Sequence, residues 1–191
     1  MTKWLLGMLP SLLLAATPGV VPRAAATTLA RMSLEELARA ADIVVRVRCV
    51  AAASRWDSGM IWTFTEFEVL ERLKGAPPER IRVRVPGGRV GHLLATIEAA
   101  PRFRPGEQSV LFLEKSSAGD YSVTAWAEGT FRIHRLPPAG GEAVTQDSSA
   151  SVVFDPATRR FHTEGIRNLS LAEFRQRLAA ALSSPGPGRA R

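Results

Sequence analysis

The chain has 191 residues, 46% of them hydrophobic, and a formal net charge of +7. This length and apolar content exclude a wholly disordered chain and favour a single domain with one sizeable core. An excess of basic residues favours binding to acidic partners or to nucleic acid. Nearly all of the 25 basic residues are arginine, however, and so much arginine beside so much alanine also fits the coding bias of a GC-rich genome.

The first 26 residues have the pattern of a secretory signal peptide. Lys3 gives a charged start, an apolar stretch follows from Trp4 to Ala16, and a run of three alanines ends at Ala26. We therefore expect cleavage before Thr27 and export to a periplasm or to the medium. No stable membrane anchor is expected after cleavage.

The residues after the signal peptide predict a short helix and three strands. Ser33 and Glu36 have the spacing of a capping box, which begins a helix from Leu34 to about Ala41. The hydrophobic period then changes to two residues, the period of a strand with one buried face. The strands predicted from this alternation are Ala41–Ala53, Ile61–Leu73 and Arg80–Val85, with turns at Arg55–Gly59 and Lys74–Pro78.

The third strand carries an arginine at every second position and runs into Gly87-Gly88. In a meander the second strand lies between two arginine-bearing strands, so its glutamates would face those arginines across an exposed sheet face. A phosphate-binding P-loop needs a lysine and a serine or threonine directly after its last glycine, and Gly88 is followed by Arg89-Val90. The two glycines therefore predict a turn with positive φ.

The second half of the chain predicts further strands and a final helix. Ser109–Glu114 is almost continuously apolar, which is typical of a central strand. Ser170 and Glu173 predict a second capped helix that runs to about Leu182. The other predicted elements are a turn at Pro101–Glu107, strands at Tyr121–Trp126 and Thr130–His134, a mobile loop at Leu136–Ser151, and a short strand at Val152–Phe154.

Three stretches resemble the netrin-type modules, a family that includes the inhibitory domain of the tissue inhibitors of metalloproteinases. They are ADIVVRVRCV (Ala41–Val50), FEVLERLKG (Phe67–Gly75) and GEQSVLFLEK (Gly106–Lys115). The resemblance implies a mainly β fold, a small OB-type barrel flanked by two short helices. We expect one such domain over residues 27–183 and a disordered tail at 184–191. The chain also resembles secreted bacterial proteins of this size, a likeness that implies no function.

The chain departs from the netrin-type pattern in its cysteines. Those modules are tied by several disulfides, whereas Cys49 is the single cysteine here. In the metalloproteinase inhibitors a disulfide-held N-terminal cysteine caps the zinc of the enzyme, and nothing covalent can hold Thr27 in that way. The resemblance therefore predicts the fold, and the same inhibitory mechanism is not expected.

No catalytic or metal-binding pattern stands out. Cys49 lies in an alternating apolar run and is interpreted as a small buried residue. The histidines, at positions 92, 134 and 162, are not spaced as a helical zinc pair, and neither a G-x-S-x-G nor an H-E-x-x-H motif occurs. We expect no enzymatic activity, no metal and no cofactor.

Three functions remain open, and an exported, non-catalytic module that recognises another protein is favoured. OB-type barrels bind through one face and its loops. The residues predicted to bind are Arg55, Trp56, Gly87, Gly88, Arg89, His92, Arg102 and Phe103. Binding of oligosaccharide or nucleic acid is the first alternative, because Trp62 and Phe64 could stack on sugars or bases, unless they lie under the C-terminal helix. Export argues against a nucleic-acid partner, and metalloprotease inhibition is the second alternative.

Overall fold

The structure, a computed structural model, describes residues 31–137, 140–150, 152–155, 160–163 and 165–184. The expected signal peptide, its cleavage site at Thr27 and the tail beyond Ser184 lie outside these residues. The described residues belong to one compact unit.

Both predicted helices are present and begin at the predicted caps. Helix α1, Leu34–Ala40, has the reciprocal capping box, in which the Glu36 N–H donates to Ser33 Oγ and the Ser33 N–H donates to the Glu36 carboxylate. These hydrogen bonds hold the pKa of Glu36 below its usual value. Helix α2, Leu171–Ser183, begins at Ser170. Neither helix in the described part of the chain is long and apolar enough to cross a membrane.

The described residues contain twelve strands. In chain order they are β1 Ile43–Asp57, β2 Met60–Lys74, β3 Arg80–Pro86, β4 Gly88–Val90, β5 Leu93–Ala95, β6 Gln108–Lys115, β7 Tyr121–Val123, β8 Thr130–Leu136, β9 Gly141–Gln146, β10 Val152–Asp155, β11 Arg160–Thr163 and β12 Leu169–Ser170.

Five strands close partly into a ring. The main sheet has the order β1-β2-β3-β7-β6-β8-β9-β12, and β1 also pairs with β6. The ring is therefore β1-β2-β3-β7-β6, with every pairing antiparallel except the short parallel contact between Val83 of β3 and Tyr121 of β7. The prediction of a small, mainly β barrel flanked by two helices is confirmed.

The molecule has two apolar cores, one on each side of the barrel wall. The barrel interior is built by alternate residues of the ring strands, among them Val45, Val83 and Leu111. The second core lies between the helices and the outer face of β1, β6, β8 and β9, where Val44 and Phe112 meet Phe174 and its helical neighbours. Strands β1 and β6 are thus buried on both faces. Burial on both faces explains why Ser109–Glu114 in β6, which was predicted to be a central strand, is almost continuously apolar.

The segment Leu136–Ser151, predicted to be a mobile loop, contains regular structure in its described part. Strand β9 pairs with β8 over six residue pairs, and a 3-10 helix follows at Asp147–Ala150. Ala143 and Val144 of β9 are fully buried, and Val144 belongs to the second core. The Gly, Pro and Ser content of this segment suggested a loop, but burial against β8 outweighs that local preference.

Two other element boundaries differ from the prediction. The predicted strand Tyr121–Trp126 ends at Val123, because Ala125 and Trp126 have positive φ and belong to a turn. On α2, Leu182 is exposed and Ala181 is buried in its place, so the buried stripe ends one residue earlier than predicted.

Candidate functional site

The β1–β2 hairpin is longer than predicted, and this changes the setting of Arg55 and Trp56. The expected turn over Arg55–Gly59 is confined to Ser58 and Gly59, both with positive φ, as in a two-residue hairpin turn. Arg55 and Trp56 therefore lie in strand β1, opposite Trp62 and Ile61 of β2. Because successive strand residues point to opposite faces, Arg55 is on the outer face of the sheet and Trp56 on the other.

The outer face of β1, β2 and β3 alternates arginines with aromatic rings. Ile81, Val83 and Val85 of β3 are buried, as predicted, which turns the arginines of β3 outward. Arg82 lies opposite Glu66, and Arg84 opposite Phe64. The prediction that β2 separates the arginine-bearing strands β1 and β3 is confirmed.

The aromatic rings of this face are covered by guanidinium groups and not by the C-terminal helix. The Arg55 guanidinium lies 4.0 Å from the ring centre of Phe64 and that of Arg82 lies 5.7 Å away, while the Arg84 guanidinium is 4.1 Å from the Trp62 ring. Each such contact contributes about 0.5–1 kcal/mol at an exposed position. We call these five residues the arginine–aromatic face.

Positive charge on this face is balanced unevenly. The Arg82 Nε donates to Asp120 Oδ1 at 2.5 Å, and Arg48 lies 3.7 Å from the carboxylate of Glu68. Among the described residues, by contrast, no carboxylate pairs with Arg55 or Arg84. The end of the face nearest the β1–β2 turn therefore has an excess of positive charge.

The two glycines that close β3 place a second hairpin against the first. Gly87 and Gly88 have φ of 91° and 132°, as their predicted turn role requires. They lead into the β4–β5 hairpin, which the sequence analysis did not predict. Thr63 Oγ1 donates to the Gly87 carbonyl at 2.7 Å and lies 2.9 Å from Ser54 Oγ. Ser54 Oγ in turn accepts from the Arg89 N–H at 3.3 Å, so two hydroxyls tie β4 to the β1–β2 hairpin.

Gly88→Ala should release this second hairpin. A Cβ at this position would collide with Ser54 Oγ and Thr63 Oγ1, and its φ is one that side chains rarely adopt. We expect a loss of about 1–3 kcal/mol of stability and faster hydrogen exchange of the Arg89 amide. Gly91→Ala, in the turn of the same hairpin, is the control, because its φ is also positive but no atom lies within 4 Å. Equal exchange rates in the two variants would contradict this account.

Three large apolar side chains are exposed on these two hairpins. Trp56 is 55% exposed, Leu93 43% and Leu94 55%. Trp56 lies on the same side of β1 as Ser54, the side against which β4 packs. His92 is exposed in the turn between β4 and β5. We call Trp56, Leu93 and Leu94 the apolar tip.

Two of the predicted binding residues lie elsewhere. Phe103 is in the barrel interior, with its ring edge-on to Phe67 at a centroid distance of 5.0 Å. The Arg102 carbonyl accepts a hydrogen bond from Arg132, whose guanidinium also lies 4.8 Å from the Phe103 ring. The loop from Pro101 to Glu107 therefore fills one end of the barrel, and we leave both residues out of the candidate site.

The structure brings the other six predicted residues together at the hairpin end of the barrel. These are Arg55, Trp56, Gly87, Gly88, Arg89 and His92. Arg84, Leu93 and Leu94 also lie at this end and were not among the residues predicted to bind. The alternation of β3 beside the aromatic side of β2 could have indicated Arg84, whereas Leu93 and Leu94 lie in a stretch for which no element was predicted.

The structure also places the side chains that could bind a metal ion or act as nucleophiles. Within the described residues, no group of three histidine, cysteine or acidic side chains could hold a metal ion. Burial and the nearby charge of Glu107 raise the pKa of the Cys49 thiol, which disfavours the nucleophilic thiolate. His134 Nε2 is hydrogen-bonded to Asn168 Oδ1 at 2.9 Å. His162 lies in β11.

Neither a protein-family model nor a curated protein matches the chain. The class of protein is therefore defined by the fold alone, a small, mainly β barrel with two flanking helices. The likeness to netrin-type modules stays a prediction.

Proposed function

We propose that the protein is a non-catalytic binding module that recognises another protein through the hairpin end of its barrel. The observation that carries this proposal is the apolar tip, in which three large exposed side chains lie on two hairpins that pack together. Leu93 and Leu94 point to opposite faces of their hairpin, so the tip presents apolar side chains in more than one direction. Single exposed apolar residues are common, but three at one end of a barrel with arginines close by suit an interface, where tryptophan and arginine are enriched among the residues that contribute most of the binding energy.

The architecture supports the same surface. A five-stranded, partly open ring is the arrangement of OB-type barrels, which bind through the face of strands two and three and the loop between strands one and two. Here the arginine–aromatic face spans β1, β2 and β3, and Trp56 ends β1 beside the β1–β2 turn. We infer an OB-type module, which is also the fold that the netrin-type resemblance implies.

The alternative of a base- or sugar-stacking platform is less well supported. Stacking needs an uncovered ring face. Phe64 is only 8% exposed beneath Arg55 and Arg82, and Trp62 is half-buried beneath Arg84. Both rings already have a cation on the outer side, so a base or sugar would first have to displace it.

Export is part of the proposal and has its own test. The N-terminal pattern predicts that the mature chain begins at Thr27. Mass spectrometry of the protein recovered from the periplasm or medium should give the mass of a chain that lacks residues 1–26. Finding Lys3 in the exported protein would contradict the predicted cleavage.

Photo-crosslinking tests the proposed recognition of a protein. A photoreactive amino acid replaces Leu94 in the apolar tip or, as the matched control, Leu182, which is exposed on α2. In cells that make the protein, we expect a discrete protein adduct from position 94 that is absent from position 182. The adduct should weaken when Trp56→Ala is added. Equal labelling from both positions, or adducts with nucleic acid or glycan alone, would overturn the proposal.

A further inference from the structure

We propose that the arginine–aromatic face binds an acidic, extended segment of the partner protein. This inference rests on the proposed function and adds the chemistry of the partner. Its main contacts would be made by Arg55 and Arg84.

The guanidinium groups of these two arginines are already held in place. Arg55 lies 4.0 Å from the Phe64 ring and Arg84 lies 4.1 Å from the Trp62 ring. A guanidinium stacked on a ring keeps its N–H edge available, and that rigid edge matches the two oxygens of a carboxylate. Because the side chains are ordered before binding, less conformational entropy is lost when the carboxylate arrives.

The charge on this face is complementary to an acidic segment. Arg55 and Arg84 have no carboxylate partner among the described residues, whereas Arg82 is paired with Asp120. The exposed Glu66 and Glu68 lie farther from the turn, opposite Arg82 and Arg80. Asp57 lies two residues beyond Arg55 on the same side of β1, but it forms no ion pair with either arginine. This end of the face therefore keeps a net positive charge, which favours an incoming carboxylate.

The spacing of the arginines favours an extended segment over a helical one. The guanidinium groups of Arg55 and Arg84 lie over Phe64 and Trp62, alternate residues of β2 that are about 7 Å apart, which is two residues of a strand. An extended chain has the same two-residue period. Carboxylates at alternate positions of a segment lying along β2 would meet these two arginines in turn.

A protein segment fits the surroundings of this face better than a nucleic acid does. The rings are covered, so bases have no free surface on which to stack. Trp56 follows Arg55 at the tip and points to the other side of β1, with more than half of its side chain exposed. A partner that reaches round the end of the hairpin, with apolar residues next to its acidic ones, can cover this tryptophan, whereas a polyanion cannot.

The test is a binding measurement with a defined peptide. The probe is a fluorescent octapeptide of alternating aspartate and valine, and its anisotropy is followed as the purified protein is added at low salt. Three other probes are compared with it. They are a peptide of the same composition with its aspartates in one block, an alternating lysine–valine peptide, and single-stranded oligothymidine. We expect the alternating acidic peptide to bind most tightly, with an affinity that falls as salt screens the charges.

Paired arginine substitutions locate the contact. Arg55→Gln with Arg84→Gln should weaken binding of the acidic peptide by about tenfold or more, which corresponds to about 1.4 kcal/mol. Arg104→Gln, at an arginine exposed in another loop, should change it by less than about twofold. Unchanged circular dichroism of the Arg55/Arg84 variant would show that the barrel remains folded.

The outcomes separate this inference from the proposed function. Equal binding of the acidic and basic peptides, or equal losses in the Arg55/Arg84 and Arg104 variants, would overturn the inference. Tighter binding of oligothymidine would overturn it in favour of nucleic acid. If a protein adduct still forms from position 94, the proposed function stands without the acidic segment, and if it does not, the proposed function fails as well.

Discussion

Val83→Asp should unfold the protein. Val83 is fully buried in the barrel interior, and it forms the parallel contact with Tyr121 through which β3 and β7 close the ring. An unpaired carboxylate there costs several kcal/mol, against a total stability of about 5–15 kcal/mol for a typical domain. Urea denaturation followed by circular dichroism should show no cooperative transition at neutral pH.

Two further variants test the cause of this loss. Val50→Asp makes the same chemical change at a β1 position that is 44% exposed, and should cost less than about 1 kcal/mol. Val83→Thr nearly keeps the shape of the side chain but buries a hydroxyl, and should cost about 1–3 kcal/mol. A cooperative transition for Val83→Asp, or a larger loss for Val50→Asp, would mean that the strand register is wrong.

The alternation of apolar residues was sufficient to predict the barrel wall. In β1 as far as Cys49, and in β3, the two-residue period assigns the interior positions correctly, including Cys49 and Val83. It also shows the arginines of β3 pointing outward. Such strands are predictable because each has a buried face, so a one-residue slip would expose every apolar side chain.

The elements that were missed depend on contacts distant in sequence. Strand β9 has a loop-like composition, and its place in the sheet comes from pairing with β8 and from the burial of Val144 in the second core. Phe103 stands between arginines in a proline-containing loop, which suggests an exposed residue. It is buried because Phe67, on a strand far away in the chain, lies at that end of the barrel.

The candidate site was predictable only in part for the same reason. The local patterns indicated Arg55, Trp56 and the two glycines, because turns and exposed aromatic residues have local sequence signals. The contact between Arg84 and Trp62 depends on the register between β2 and β3. That register depends on how the segment between Lys74 and Arg80 connects the two strands, which the local pattern of a single sequence does not show.

Arg132→Met should destabilise the protein by about 2–3 kcal/mol, since hydrogen bonds to charged groups are among the stronger ones. The Arg132 guanidinium binds both carboxylate oxygens of Asp147 at 2.7–2.8 Å, Glu107 at 3.1 Å and the Arg102 carbonyl at 2.7 Å. It therefore joins β8, the 3-10 helix and the loop that carries Phe103. Methionine keeps much of the packing over the Phe103 ring but leaves two neighbouring carboxylates without their cation.

The loss should show in denaturation midpoints and in faster hydrogen exchange of the 3-10 helix and the Pro101–Glu107 loop. Arg135→Met, at an exposed position of the same strand, is the matched control and should change stability by less than about 0.5 kcal/mol. Adding Asp147→Asn to Arg132→Met should recover part of the loss, because it removes one uncompensated charge from the partly buried site. Asp147→Asn could instead lower the stability of the Arg132→Met variant by as much as it lowers the stability of the unmodified protein. The two side chains would then act independently, and the joint role assigned to Arg132 would be wrong.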